Sequence, residues 1–572
     1  MKAKYLLNTC LVRISLICFL IPFLLDGQTK DRSRQKINGF ARSSLLSYKQ
    51  LDTNTIRCTA GSDGPYIDYR QNIIPGFEWP KGSGKYAVFS AGLWMIGKHH
   101  PTGKLRTADM CYSSEFQPGP LFETINTDSA SMNDAGPISR SADYRYRLYK
   151  ISRADSINPS ANPDFGEWPG DLGAPFTDVN HNGQWDAGTD KPKFSGDQQL
   201  WCVYNDVSRP LHTQLGYTPP IGIEIQSLQY AFNRSGVLNN TMFMKWKIIN
   251  KSDAEYDSVY LGLWNDVDLG DANDDLAGCD TVLNLGYVYN ANAVDGGTNG
   301  YGSSPPAIGV CLLQGPAVPS SSSDSAQIDG RWRKGFRNLP MTSFIVRIKT
   351  CNQLQEPPQQ NPEYASAAYD YLQGKAGTVH QFIVDPVTGN PIKFFFSGDP
   401  VAGTGQLPAN FPLGNASPQD IWILLGTGPF TLVPGDTQEI SAAVHIAQGT
   451  DRLHSITLLK DGIQSVRDAY DHNFPVGVSR TKEQPRAFVL NQNYPNPFNP
   501  MTNIRFELPV SSFVSLRVFD ILGREITILA GEELKPGSYS RVFDGTNLPS
   551  GIYFYRLQTA QNIYVKKMLL LK

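Results

Sequence analysis

The sequence predicts an all-β protein: mostly antiparallel sandwiches, a minor helix near the end of a long body, and a C-terminal immunoglobulin-like β-sandwich. Three observations carry this reading. Glycine (51) and proline (40) make up about a sixth of the 572 residues, and aromatic residues another 11%. That composition favours many turns and short strands over long helices. Hydrophobic residues reach 40% against 18% charged, which suits core formation and argues against broad disorder. Apolar and polar residues alternate with period two for several residues of Ile221–Phe232 in the body and in strands of the last eighty or so residues. The length exceeds what one ordinary core serves, so several domains are expected. With 51 basic and 53 acidic residues there is no cationic excess to neutralise phosphates, and a nucleic-acid partner is not expected.

The N-terminus reads as a secretory signal peptide over residues 1–27. Lys2, Lys4 and Arg13 precede an uncharged, mostly apolar run, Ile14 to Leu25, that ends at Asp26-Gly27-Gln28. As a helix this run spans about 18 Å, short of the roughly 30 Å hydrocarbon core that an anchor must cross. Residues 28–52 form a polar, basic leader. Six cysteines follow the signal: Cys58, Cys111, Cys202, Cys279, Cys311 and Cys351. In an exported protein they permit up to three disulfides, and none lies in a CxxC pair.

The body, residues 53–475, is β-rich, with two sub-domains expected. Tyr86 to Trp94 reads as a buried strand after a Pro/Gly turn at 77–84. Ile221–Phe232, Met242–Asn250 and Asp257–Trp264 read as three successive strands. In the last, Val259, Leu261 and Leu263 share one face and Tyr260 and Trp264 the other, so it belongs at the centre of a sheet. Residues 315–325 and 353–362 read as loops or linkers. Trp422–Leu425 and Phe430–Val433 read as two short strands, and Glu439–Ala447 as another. Leu453, Ile456, Leu459, Ile463, Val466 and Tyr470 then recur at helical spacing, which predicts a helix from Asp451 that Gly462 weakens. Residues 476–486 read as a linker.

Two segments of the body offer oxygen ligands. In Asp178-Val179-Asn180-His181-Asn182-Gly183-Gln184-Trp185-Asp186, oxygen side chains fall at positions one, three, five and nine. Gly183 at position six permits the turn, and the Gln184 carbonyl would be the seventh-position ligand. Calcium takes six to eight oxygens, and this spacing supplies most of them from one loop. The run resembles calcium loops of extracellular repeats and EF-hands. It departs at position twelve, where Thr189 stands in place of the bidentate Glu and Asp190 would substitute. The competing reading is an Asn/Gly turn closed by its own hydrogen bonds. The second segment gathers Asp266, Asp268, Asp271, Asp274, Asp275 and Asp280 within fifteen residues. Such a group is either an exposed acidic loop or a calcium site, since carboxylates this dense repel unless solvated or bridged.

Catalysis finds little support. None of the eight histidines lies in HExxH, and no GxSxG elbow appears. Gly97–Lys104 has the wrong spacing for a phosphate loop. The nine tryptophans are expected mainly in the core, with exposed sugar platforms as the alternative.

The tail, residues 487–572, is the most specific part. Asn493 to Pro500 packs three prolines into eight residues and must be extended. Ile504, Phe506 and Leu508 alternate with Arg505 and Glu507, and Val514, Leu516 and Val518 with Ser515 and Arg517. Asp520–Arg524 is a turn. Further strands bring the total to six or seven, enough for a small sandwich. The motifs are Tyr494-Pro495-Asn496-Pro497-Phe498-Asn499-Pro500, the strand-turn with Gly523 and Arg524, Leu548 to Leu557 with Gly551 and Tyr553, and a basic-apolar end with Lys566 and Lys567. In this order they resemble the type A C-terminal sorting domain of the type IX secretion system of Bacteroidota and related Gram-negative bacteria. The resemblance covers about 85 of 572 residues. It implies Sec export, then passage through the type IX outer-membrane translocon. In many members a sortase-like peptidase then removes the tail and joins the body to surface lipopolysaccharide. The body carries no such signature. The leading expectation is a non-catalytic adhesive module that binds a glycan or other surface ligand and is stabilised by calcium. A secreted hydrolase with the same tail is the alternative.

Overall fold

The computed structural model describes residues 46–571 except 101, 128–142, 298, 329–330, 415, 475–487, 494–495 and 561. The predicted signal peptide, most of the leader, the linker, and Tyr494 and Pro495 of the sorting motif lie outside the described residues.

Two large antiparallel sheets form the body. In the first, the path runs Tyr48–Leu51, Arg57–Gly61, Phe77–Glu78, Tyr86–His99, Tyr256–Val267, Ile421–Leu432 and Ser343–Val346, with Leu105–Asp109 paired to Tyr86–His99. In the second it runs Asp275–Asp280, Leu285–Asn290, Ala307–Gln314, Thr437–Ala447, Thr241–Asn250, Ile223–Ala231, Gln198–Asn205 and Gln117–Pro118, with Tyr149–Ser152 alongside. Leu93, Leu263 and Leu425 of the first sheet and Met244, Trp246 and Val444 of the second belong to one buried cluster, the core of a sandwich. Tyr256–Val267 is central, between Tyr86–His99 and Ile421–Leu432, as its two apolar faces predict. The mostly antiparallel all-β class is therefore the observed one.

A helix covers the outer side of each sheet. Arg452–Asp471 places Ile456, Leu459, Ile463 and Val466 against the second sheet, and Asp451 caps it by accepting from the Leu453 and His454 N–H groups. Glu363–Leu372, which the sequence reading left without structure, packs on the first sheet, where Tyr364 and Tyr371 meet Trp94 and Trp422. The two strands expected around Gly426–Pro429 are one continuous strand. Its glycines serve close approach: a Cβ on Gly426 would lie 2.6 Å from the Leu372 carbonyl, and one on Gly428 would lie 2.6 Å from the Tyr260 ring. All six body cysteines are free thiols, five of them buried.

The tail has a core of its own. Its seven strands form a three-stranded sheet, Val489–Leu490, Met501–Leu508 and Gly537–Asp544, facing a four-stranded one. The latter runs Glu525–Leu534, Ser512–Phe519, Gly551–Gln558 and Ile563–Leu570. Ile504, Phe506, Leu508, Val514, Leu516 and Val518 all point inward, as the alternation requires.

Candidate metal centre and C-terminal sorting domain

The register of the first sheet assembles the acidic site. Asp266 pairs with Trp422 and Val267 with Ile421. One step further along this antiparallel ladder sets Asp268 opposite Asp420. Carboxylate oxygens of Asp266, Asp268 and Asp420 lie within 4.8 Å of one another. Among the described residues they are the one group of three or more His, Cys, Asp or Glu side chains gathered this closely. Asp266 is fully buried and Asp420 is 7% exposed. The strand Ser343–Val346 continues on the other side of Ile421–Leu432 and brings two cations to Asp420: Lys349 Nζ at 2.8 Å and Arg347 Nη1 at 3.9 Å.

Two further buried oxygens border the triad. Asp275 accepts from the Leu269 N–H through Oδ2, while its Oδ1 accepts no hydrogen bond among the described residues. Gln419 Oε1, next to Asp420 in the chain, is likewise without a donor, and the Gln419 N–H donates to the Asp275 carbonyl. Burial pushes the Asp275 carboxyl well above the usual carboxylate range, and Asp268 adds to the shift. The donor set is all oxygen, which fits a hard cation.

The other predicted acids have separate duties. Asp271 caps the turn Ala272–Asp274. Asp274 accepts from the side-chain amides of Asn290 (2.6 Å) and Asn292 (3.1 Å). Asp280 holds the Val282 and Leu283 N–H groups and pairs with Lys460. The sequence reading missed Asp420, 152 residues beyond Asp268 in the numbering and linked to it only by strand pairing. It also missed Asp295. That side chain accepts from the Asp271 and Tyr301 N–H groups, and burial pushes its carboxyl up to about 6.

The loop 178–190 is wrapped and exposed. Asp178 accepts from the Asn182 and Gly183 N–H groups, with Gly183 at φ +79°. Asn180 and Asn182 turn their amide nitrogens to Asp186, which holds that carboxyl below its ordinary range. Asn182 Oδ1 accepts from the Gln184 N–H. Asp190 is buried and anchors the loop from behind through the Val179 and Asp186 N–H groups. These bonds have the form of an Asn/Gly turn closed by its own hydrogen bonds.

In the tail, the sorting motifs at its two ends meet. Phe498 is buried; its N–H donates to the Leu569 carbonyl at 2.9 Å, and its carbonyl accepts from the Leu571 N–H at 3.0 Å. Asn496 Oδ1 accepts from the Leu569 N–H at 2.8 Å. The segment just before the prolines is tied to Tyr555, whose hydroxyl donates to the Asn491 carbonyl and accepts from the Asn493 N–H. Gly523 takes φ +77° in the turn where Asp520 accepts from the Leu522 and Arg524 N–H groups and from Arg524 Nε. Tyr553 is buried and donates to the Pro549 carbonyl. Gly551 opens a strand, and Lys566 and Lys567 lie on the last one, opposite Tyr555 and Phe554.

No curated protein matches the chain. Among solved structures it is similar to a polysaccharide lyase at 9% identity with a TM-score of 0.20, over 61% of this chain and 34% of the lyase. It is also similar to a dimeric latent PorU from Porphyromonas gingivalis at 10% identity and a TM-score of 0.13, over 65% and 31%. The chain thus spans about a third of the length of each, and likenesses this slight bear on neither fold nor function. Residues 492–571 match the family described as the secretion system C-terminal sorting domain. With its motifs laced into one sandwich, the end of this chain is a type IX C-terminal sorting domain, and the protein is a secreted, cell-surface one.

Proposed function

We propose that the body is a non-catalytic adhesive module for a glycan or other surface ligand, and that calcium clamps its sandwich at Asp266, Asp268 and Asp420. The tail engages the type IX translocon and a sortase-like peptidase, which transfers the body to surface lipopolysaccharide. The observation that supports the calcium clamp is the convergence of three carboxylates from two paired strands within 4.8 Å. That distance is about twice a Ca–O bond of roughly 2.4 Å, the separation of two oxygens on opposite sides of one ion. Unbridged carboxylates this close repel by on the order of 3 kcal/mol per pair at an effective dielectric of about 20. Lys349 and Arg347 relieve part of this at Asp420. A divalent cation relieves it at the centre and ties Tyr256–Val267 to Ile421–Leu432. The glycan reading draws its support from the surface address of the chain.

Calcium titration of the purified full-length chain, followed by EDTA, tests the clamp. At a hundredfold excess over Kd, one bound ion adds about 2.7 kcal/mol. The melting temperature should rise by several degrees, return with EDTA, and lose its response in Asp266→Asn and Asp420→Asn. A response that survives in both variants but disappears in Asp186→Asn moves the site to the loop 178–190. A flat response in the wild-type chain sinks the calcium reading.

A further inference from the structure

Between Ala307–Gln314 and Ser343–Val346 the chain makes a small excursion. Ser325–Ile328 and Arg331–Lys334 form a two-stranded ribbon in which Gln327 faces Trp332 and Ala326 faces Arg333. A second short ladder, Ala317–Pro319 with Phe336–Asn338, supports it. The Gln327 N–H donates to Asn338 Oδ1, and Gln314 Nε2 donates to the Gln327 carbonyl. The ribbon is therefore tethered along Ser325–Ile328, while every residue of Arg331–Lys334 is exposed.

Trp332 is the exception among the nine tryptophans. It is 70% exposed, whereas seven of the others are no more than 6% exposed and Trp185 packs edge-on against Phe176. A tryptophan gains more from burial than almost any side chain, so core formation gives no reason for one at this position. Cations outnumber acids around it: Asp324, which lies near Arg337, and Asp329 precede the run. Arg331, Arg333, Lys334 and Arg337 fall within seven residues, with no acidic residue between Arg331 and Asn338. Arg331 and Lys334 form no ion pair among the described residues. Strand alternation projects Trp332 and Lys334 from one side and Arg331 and Arg333 from the other. Trp332 thus presents a flat apolar face with Lys334 on the same side, and Arg331 and Arg333 add positive charge from the other side of the strand.

We infer that the exposed strand Arg331–Lys334 binds an acidic polysaccharide, with a sugar ring stacked on Trp332 and carboxylate or sulfate groups held by Arg331, Arg333 and Lys334. This rests on the adhesive reading of the body and gives it a site and a ligand class. Guanidinium groups bind carboxylate and sulfate through paired N–H donors, and an indole offers a broad face to the C–H side of a sugar ring. A nucleic acid fits less well. Four cations fall short of the roughly six to ten phosphate contacts that sustain such binding, and the chain as a whole is not basic. A lipid surface fits less well too, because it needs an extended apolar face where this ribbon presents one exposed aromatic ring.

The test uses the purified full-length chain with alginate, chondroitin sulfate, neutral dextran and a single-stranded oligonucleotide, read by biolayer interferometry. The expected result is salt-sensitive binding to alginate or chondroitin sulfate. Trp332→Ala should weaken it about tenfold and Trp332→Phe should largely restore it, at unchanged melting temperature. The Arg331→Glu/Arg333→Glu double variant should abolish it. Acidic-glycan binding that both Trp332→Ala and the double variant leave unchanged overturns the ribbon site while leaving the adhesive reading intact. Binding to dextran alone does the same. Oligonucleotide binding tighter than glycan binding through these residues replaces the ligand class. Failure to bind any glycan overturns the ribbon site and counts against glycan adhesion as well.

Discussion

His445 and Gly462 explain one another. Thr241 donates its hydroxyl to the Val237 carbonyl, so its oxygen can only accept from His445 Nδ1, and the Asn240 carbonyl can do no other. The proton therefore sits on Nδ1. The bare Nε2 faces the helix Arg452–Asp471, where a Cβ on Gly462 would lie 2.2 Å away. Burial without a partner for a second proton brings the imidazole down to about 4. A base depressed from 6.5 in this way contributes stability that is complete above pH 6.5 and is lost as pH falls through 4. Against a His445→Gln reference, the native chain should lose roughly 3 kcal/mol over that window in urea titrations at successive pH values. Parallel curves would remove the buried neutral histidine. Gly462→Ala follows from the same contact. Helix propensity alone predicts a gain of about 1 kcal/mol. The clash with a fixed ring costs about 1–3 kcal/mol and should win, lowering the urea midpoint. The sequence marked Gly462 as a weakness of the helix; its purpose was illegible because the ring that demands it comes from another strand. The same holds for Asp420. Asp266 and Asp268 stand out as part of an acidic run, but their third partner is adjacent only through strand register.

At the scale of elements, legibility followed amphipathicity. Arg452–Asp471 buries one face, so its apolar residues keep helical spacing and can be read. Glu363–Leu372 buries Tyr364, Ala365, Ala367, Ala368, Tyr369, Asp370, Tyr371 and Leu372, which leaves almost no polar face to mark a period. The tail strands alternate cleanly because each sheet has one face in the core and one in water. What alternation could not show is how the proline segment closes the sandwich. Phe498 does this by packing under Phe543 and bridging its backbone to Leu569 and Leu571. Truncating a buried phenylalanine costs about 3–5 kcal/mol. In a unit of some eighty residues that is a large share of the total stability. Phe498→Ala should abolish the tail's protection in limited proteolysis and sharply reduce the amount of protein reaching the cell surface. Lys567→Ala, whose side chain is exposed on the last strand, should leave the protease resistance unchanged. Normal surface delivery by a Phe498→Ala tail that is proteolysed would separate sorting from folding.

Across the whole molecule, the cores of body and tail share no residue. The three body clusters draw on residues from Leu51 to Val466, the tail cluster on residues from Leu490 to Leu570. Each unit buries its own apolar faces, so the folding of one does not require the other. This division makes an address separable from its cargo, and removal of Ala487–Lys572 tests both halves at once. In calorimetry the full chain should show a tail transition that the shortened chain lacks, with the body transition unmoved. In cell fractions the shortened chain should stay inside the cell envelope, since it lacks the sorting domain that matches residues 492–571. A body transition that falls with the tail removed would mean the units stabilise each other across an interface. Delivery of the shortened chain to the surface would mean the body holds an export signal of its own. Only a folded body retained inside the cell fits a sandwich that is complete without its tail and a tail whose task is transport.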